Sequence, residues 1–115
     1  MKSKEQPLKD DLSNYRPEIY PSPSVTCDIC ICRVAARQLQ VLLIKRKAPP
    51  FRGHFAIPGG FVDVTAEETL EQTADRELRE ETNLVGIYTE QLKTYGDPKR
   101  DPRKRIITVA YYALV

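Results

Sequence analysis

The chain has 115 residues, of which 41% are hydrophobic and 30% are charged, a composition typical of one small globular domain. Its formal net charge of +2 is too small to indicate a nucleic-acid or membrane partner. The longest apolar run, 106–115, is too short to cross a bilayer, and no apolar stretch follows residues 1–6 as a secretory signal would require. We therefore expect a cytoplasmic protein with no membrane contact.

The predicted elements follow a polar segment, 1–24, which contains four prolines and is expected to form a flexible or loosely docked arm. Residues 25–115 form the expected single domain. Its predicted elements are, in chain order, strands at about 25–34, 39–46 and 54–57, a helix at about 66–82, a strand at 88–95, a basic loop at 96–104 and a strand at 105–115. This order indicates a mixed α+β domain.

Three cysteines lie in the first predicted strand. On a strand, Cys30 and Cys32 share one face and Cys27 points to the other. A zinc site needs four converging ligands, and the only histidine, His54, is distant in sequence. We therefore interpret the cysteines as small thiols of a packed strand rather than as metal ligands.

The predicted helix is unusually acidic. Residues 63–81 carry eight acidic side chains against two arginines, a net charge of −6. A hard divalent cation, which takes oxygen ligands, would relieve this repulsion. Thr65 and Glu68 fit a capping box that predicts Thr65 as the N-cap, and Asn83 occupies the position of a left-handed C-cap.

The direction of the carboxylates on this helix indicates a functional cluster. The expected core side is formed by Leu70, Thr73, Ala74 and Leu78. Glu77 and Glu81 fall in the same arc, and Glu80 lies at its border. Burying a carboxylate without a partner costs several kcal/mol, and the spacing 77, 80, 81 places the three on one patch. The alternative, a solvated acidic face, is therefore the weaker interpretation.

The segment from Gly60 onward resembles the Nudix box, in which a Gly and a Glu precede the pattern Arg-Glu-aliphatic-x-Glu-Glu-x-Gly-aliphatic. Here the box stands as Gly60, Glu68 and then Arg76-Glu77-Leu78-Arg79-Glu80-Glu81-Thr82-Asn83-Leu84. It departs from the pattern by two extra residues between Gly60 and Glu68 and by Asn83 in place of Gly. The resemblance covers 20–115 and is to the ADP-ribose pyrophosphatase-like branch, which also includes Nudix-related transcriptional repressors.

The resemblance implies an α/β/α sandwich with a mixed sheet. It also implies hydrolysis of the pyrophosphate bond in a nucleoside diphosphate derivative, such as ADP-ribose, with Mg²⁺ or Mn²⁺. The implied metal ligands are Gly60, Glu77, Glu80 and Glu81. Arg76 looks like the family's arginine that orients a box glutamate, so the expected catalytic set is Arg76, Glu77 and Glu80, with Glu77 as one candidate general base. Glu68 is given a structural role with Arg76 or the glycine loop.

Phosphate recognition is assigned to arginines, because a guanidinium group matches phosphate oxygens bidentately. The expected substrate-binding residues are Arg46, Arg52, Arg100 and Arg103. The last two lie in the loop 97–105, which holds five basic residues against two aspartates. A solvated surface loop is an equally open interpretation of that segment.

The same resemblance implies strands and a C-terminal helix beyond Val115, so we expect a C-terminally incomplete Nudix domain. The expected partners are a small-molecule nucleotide and a second copy in a homodimer. The related repressors carry a C-terminal winged-helix domain, so no nucleic-acid binding by this chain is expected. The alternative function is a nucleotide-sensing regulatory domain without efficient turnover.

Overall fold

The computed structural model describes residues 11–115. Within them lie a 3-10 helix, seven strands and one α-helix: Pro17–Ile19, β1 (Ser24–Ala35), β2 (Gln38–Val41), β3 (Ile44–Lys45), β4 (Phe55–Ala56), β5 (Gly59–Phe61), α1 (Leu70–Thr82), β6 (Glu90–Tyr95) and β7 (Ile106–Leu114). Residues 11–23 are exposed. The first ten residues of the predicted arm lie outside the described residues, so the arm stays a prediction.

β1 is the central strand of a five-stranded mixed sheet. β7 pairs with it in parallel along one side, and β6 extends the sheet antiparallel to β7. Along the other side, β5 pairs with the first half of β1 and β2 with the second half, both antiparallel. β3 and β4 form a separate two-stranded sheet. This mixed sheet with α1 on one face confirms the predicted α+β class, and one helical layer of the sandwich is present in residues 11–115.

The core lies between this sheet and α1. Cys27, Ile29 and Ile31 alternate on the face of β1 that packs with Ala74 and Leu78 of the helix. The Cys27 thiol contacts the Leu70 carbonyl at 3.5 Å, and burial raises the pKa of Cys27 to about 11. The interpretation of the cysteines as packed thiols is confirmed for this residue.

The opposite face of β7 is buried at Ile106, Thr108 and Ala110 and is open only at the end of the strand. Tyr112 is 41% exposed and Leu114 is 69% exposed, whereas their neighbours Tyr111 and Ala113 are buried against the helix side. The Tyr111 hydroxyl donates a hydrogen bond to Glu71 at 2.9 Å and thereby joins β7 to α1.

The start of α1 differs from the prediction. The N-cap is Thr69, whose hydroxyl accepts from the Gln72 amide at 3.1 Å while the Gln72 side chain accepts from Thr69 N at 2.8 Å. Thr65 instead donates to Asp63 in a turn. The predicted Thr65 cap fails because Glu68 binds Arg76 and is not available to close the box. The predicted C-cap is confirmed, since Asn83 is left-handed with φ 64°.

Two strands also differ. The strand predicted at 39–46 breaks at Leu42 and Leu43, so that β2 joins the large sheet and β3 the small one. The segment Gly59–Phe61, which lies between the predicted strand at 54–57 and the predicted helix, is the edge strand β5. β1 and β2 are joined by a two-residue hairpin turn, in which Ala36 and Arg37 have the positive φ values of 50° and 63° that such a turn requires. No helix within 11–115 is both long and apolar enough to cross a membrane.

Candidate active site

The two glycines of β5 bring carboxylates against both faces of this strand. Gly60 pairs with Cys27 and Gly59 pairs with Asp28, so the two glycines face opposite sides of the sheet. A Cβ on Gly60 would overlap the Glu77 carboxylate, and a Cβ on Gly59 would overlap the Asp28 carboxylate. Each position therefore needs glycine because an acidic side chain fills the space next to its Cα atom.

Glu81 is joined to the same strand through the backbone. Its Oε1 atom accepts a hydrogen bond from the Gly59 amide at 2.7 Å. Burial raises the pKa of Glu81, and the Gly59 hydrogen bond opposes that change. Burial likewise raises the pKa of Glu77, and the contact with Arg76 opposes it. Both carboxylates thus lie where an added positive charge would favour their ionised form.

Arg76 is the centre of an ion-pair cluster. Its guanidinium contacts Glu68 at 2.7 Å, Glu77 at 2.6 Å and Glu80 at 3.3 Å, and it donates to the Phe61 carbonyl at 3.0 Å. The hydrogen bond from Arg76 lowers the pKa of Glu68 to about 2. The predicted pairing of Glu68 with Arg76 is confirmed. Glu68 precedes the helix, and its side chain is only 10% exposed because it turns towards Arg76.

A cleft of about 520 Å³ separates the end of α1 from the segment around β3. Glu80 and Glu81 line one wall, and the basic run Lys45, Arg46 and Lys47 lines the other. Of these three cations, only Arg46 was predicted from the sequence as a site residue. Lys45 and Lys47 could have been noticed because they form, with Arg46, a run of three basic residues directly after an apolar strand. Such a run does not by itself indicate a binding site.

Of the four predicted substrate-binding arginines, three have different hydrogen-bond partners. Arg46 lines the cleft and donates from Nε to the Pro50 carbonyl at 2.6 Å, while Arg52 is exposed in the β3–β4 loop. Arg100 donates to the Ile106 carbonyl at 3.1 Å. Arg103 pairs with Asp101 at 2.9 Å, and its guanidinium lies 5.2 Å from the centre of the Phe61 ring.

That ion pair lowers the pKa of Asp101 to about 2. Part of the basic loop is thus neutralised internally, because each contact of Arg103 with Asp101 satisfies a donor that a phosphate would otherwise take. A phosphate-binding role for Arg52, Arg100 and Arg103 stays a prediction.

The carboxylates of α1 offer oxygen ligands of the kind that a hard cation needs. Within residues 11–115, no three Asp, Glu, His or Cys side chains stand close enough to form a ready metal site. Glu77, Glu80 and Glu81 each use one oxygen for Arg76 or the Gly59 amide. In the described part of the chain, the second oxygen of each accepts no hydrogen bond, and oxygen donors of this kind suit Mg²⁺ or Mn²⁺. The chemistry of these three carboxylates, with Glu77 packed against Gly60, therefore fits such a cation.

The known proteins that are similar to this chain are consistent with one another. The NUDIX domain profile matches residues 25–115. The ADPR responsive transcriptional repressor NtrR of Acinetobacter baylyi is 43% identical over 104 residues, covering 90% of this chain and 42% of the repressor. The ADP-ribose pyrophosphatase of Methanocaldococcus jannaschii is 41% identical over 103 residues, covering 90% of this chain and 56% of that protein. The chain thus spans about half the length of these curated relatives.

The solved structures agree with this relationship. The NUDIX domain of Shewanella oneidensis NrtR, in a cocrystal structure with ADP ribose, superposes with a TM-score of 0.84 at 43% identity. The match covers 90% of this chain and 68% of that one.

One expectation about partners is wrong. Nucleic-acid binding was not expected from the sequence, yet the structure of Shewanella oneidensis NrtR complexed with a 27mer DNA is similar to this chain. It superposes with a TM-score of 0.72 at 45% identity, covering 79% of this chain and 42% of that one. The expected partners were a nucleotide and a second copy of the chain, with no nucleic acid. The exclusion of nucleic acid is therefore incorrect. The prediction was wrong because it was based on the net charge of the whole chain and because it assigned DNA binding to the winged-helix domain of the related repressors alone.

The resemblance read from the acidic helix is confirmed at the level of the family. The matched residues run from β1 to the end of the chain, and they include the glycine strand and the helix that carry the carboxylate cluster. With a profile match over most of its length and structural relatives above 40% identity, this chain belongs to the NUDIX family.

Proposed function

We propose that this chain hydrolyses the pyrophosphate bond of a nucleoside diphosphate derivative, ADP-ribose or a close analogue, with Mg²⁺ or Mn²⁺. The observation that carries the proposal is the set Glu77, Glu80 and Glu81. All three lie within two turns of α1, and each presents one carboxylate oxygen that accepts no hydrogen bond from the described residues. Carboxylate oxygens of this kind are the ligands that a hard divalent cation takes in proteins.

The chemistry of the substrate explains why these residue types are needed. Adjacent phosphate groups repel an attacking water, and a bound divalent cation would offset their charge and lower the pKa of a coordinated water. Glu77, Glu80, Glu81 and the Gly60 carbonyl are the groups that would hold it. Arg76 keeps Glu77 and Glu80 oriented through its ion pairs, and Glu77 is a candidate proton acceptor.

The cleft supplies the complementary charge. Lys45, Arg46 and Lys47 lie across from Glu80 and Glu81, so phosphate oxygens bound between the two walls would meet cations on one side and carboxylate-bound metal on the other. The relatives support ADP-ribose as the substrate class, since one is named an ADP-ribose pyrophosphatase and another was crystallised with ADP ribose.

The direct test is hydrolysis of ADP-ribose, measured as AMP release with and without Mg²⁺. We expect Glu81→Gln to lower turnover by at least about a hundredfold, because it removes a charged ligand but keeps the Gly59 hydrogen bond. Asp75→Asn is the matched control, since Asp75 is exposed on the same helix. Turnover of Glu81→Gln close to that of the parent, with Asp75→Asn also unchanged, would show that α1 does not carry the reaction.

A second candidate function is an ADP-ribose-responsive regulatory module of a DNA-binding protein. The 43% identity to a repressor that responds to ADPR favours it. In this role the chain would bind ADP-ribose in the presence of a chelator and would release no AMP. Calorimetric titration of ADP-ribose in EDTA, compared with AMP release in Mg²⁺, separates the two: tight metal-independent binding without turnover supports the regulatory module.

A further inference from the structure

Asp28 is a half-buried carboxylate that neither the predicted site nor the proposed reaction uses. It lies on the face of β1 that points away from α1, opposite Cys27. Thr108 of β7, which is 3% exposed, donates a short hydrogen bond to Asp28 Oδ2. The Thr108 hydroxyl also lies 3.2 Å from the Thr26 carbonyl, so its position is determined by two groups of the neighbouring strand.

The other oxygen of Asp28 lies against β5, the strand that contains Gly59 and Gly60. Asp28 pairs with Gly59 in the sheet register, and its Oδ1 atom occupies the space where a side chain at position 59 would begin. The next residue pair is tied by a hydrogen bond from the Ile29 amide to the Pro58 carbonyl at 2.8 Å. The peptide group between Pro58 and Gly59 is therefore held from the β1 side by the backbone, and the Asp28 carboxylate, which Thr108 hydrogen-bonds, packs beside the Gly59 Cα atom.

The amide of this same peptide group points to the helix. Gly59 N donates to Glu81 Oε1 at 2.7 Å, so a line of contacts runs from Thr108 through Asp28 and Gly59 to Glu81. If the peptide group rotated, Glu81 would lose its donor, and its free oxygen would no longer keep its direction towards the cleft that Glu81 lines.

We infer that Asp28, held by Thr108, is a positioning residue that aims the Gly59 amide at Glu81 and so orients this carboxylate for a divalent cation. Groups that orient a metal ligand without touching the metal typically change metal affinity about 10- to 100-fold when they are altered. The metal part of the inference rests on the proposed function, whereas the orientation of the Gly59 amide does not.

The test compares Thr108→Val, which keeps the side-chain shape but removes the hydroxyl donor, with Thr108→Ser, which keeps the donor. The first measurement is the ¹H–¹⁵N spectrum of the labelled chain without metal. The Gly59 amide proton, hydrogen-bonded to a carboxylate, is expected downfield and protected from exchange. We expect it to move upfield in Thr108→Val, in the same direction as in Glu81→Gln, and to stay near its parent position in Thr108→Ser.

The second measurement is the affinity for Mn²⁺, which we expect to fall about tenfold in Thr108→Val and to change little in Thr108→Ser. An unmoved Gly59 amide in Thr108→Val, in a chain where Glu81→Gln does move it, would overturn the inference. A parent chain that binds no Mn²⁺ would refute the metal proposal, and the amide comparison would still decide the role of Asp28.

Should Thr108→Val fail to fold, Asp28→Asn serves in its place. It keeps the size of the side chain but places an NH₂ group against either the Thr108 hydroxyl or Gly59. The same upfield movement of the Gly59 amide is expected, and its absence would overturn the inference in the same way.

Discussion

Replacing Gly60 by alanine should displace Glu77 while leaving the fold intact. A Cβ at position 60 would lie 2.5 Å from Glu77 Oε2 and 2.7 Å from Oε1, whereas ordinary contact begins at 3.4 Å. The carboxylate must therefore move by about 1 Å, and a misplacement of this size costs about a hundredfold in rate. That factor corresponds to about 2.7 kcal/mol of transition-state stabilisation.

The assay is kcat/KM for ADP-ribose, accompanied by Mn²⁺ affinity and a thermal melt. The control is Gly96→Ala, because a Cβ at position 96 meets only Ile107 Cγ1 at 4.0 Å, so it should match the parent in all three. We also expect Glu77→Asp to recover part of the lost Mn²⁺ affinity in the Gly60→Ala background, since the shorter side chain makes room for the new methyl group. A Gly60→Ala chain with parental kcat/KM and parental Mn²⁺ affinity would refute this reasoning.

The remaining predictions concern charge. The lowered pKa of Glu68 means that its ion pair with Arg76 stabilises the fold at pH values above the ordinary value of 4.5, and that this contribution is lost as the pH falls towards about 2. Glu68→Gln should accordingly flatten the fall of the melting temperature between pH 4.5 and 2, and an unchanged slope would contradict the assignment. Arg46→Ala should weaken ADP-ribose binding by about 1.5–3 kcal/mol, the scale of charge-assisted hydrogen bonds. Arg103→Ala should change it less than about fivefold, because Arg103 is already paired with Asp101; equal losses in calorimetric titrations would show that both arginines contact phosphate.

Local patterns were sufficient to predict the parts of the fold where one interaction dominates. The helical spacing of Leu70, Thr73, Ala74 and Leu78 predicted the core side of α1, and the last three of these residues are buried. A left-handed residue at the end of a helix costs little only for Gly and Asn, which is why Asn83 could be identified as the C-cap.

Prediction failed where two local interactions competed. The sequence contains two consecutive capping boxes, Thr65 with Glu68 and Thr69 with Gln72, and their local energies are similar. The choice between them depends on Arg76, which binds Glu68 from eight residues away. Spacing along the chain therefore cannot decide where the helix begins.

The residues of the site that were not predicted from the sequence were missed for another reason. Lys45 and Lys47 line the cleft because a break at Leu42 and Leu43 turns β3 away from the main sheet, which no propensity signals. Asp28 contacts Gly59 only through strand pairing across about thirty residues of sequence. The positions of these residues depend on tertiary structure. The glutamates of α1, in contrast, are neighbours along one helix and could be grouped from their spacing alone.

The pairing of β1 with β7 has a consequence for how the chain acquires its fold during synthesis. Thr26 and Thr108 are neighbours in the sheet although 82 residues separate them, and all nine residue pairs between these strands share that separation. At 5–20 residues per second, a ribosome needs about 4–16 s to make the intervening segment. During this interval the apolar central strand can pair with β2 and β5 but not with its longest partner. A nascent chain of this design should therefore bind chaperones until β7 emerges, and its folding rate should be limited by closing this long loop.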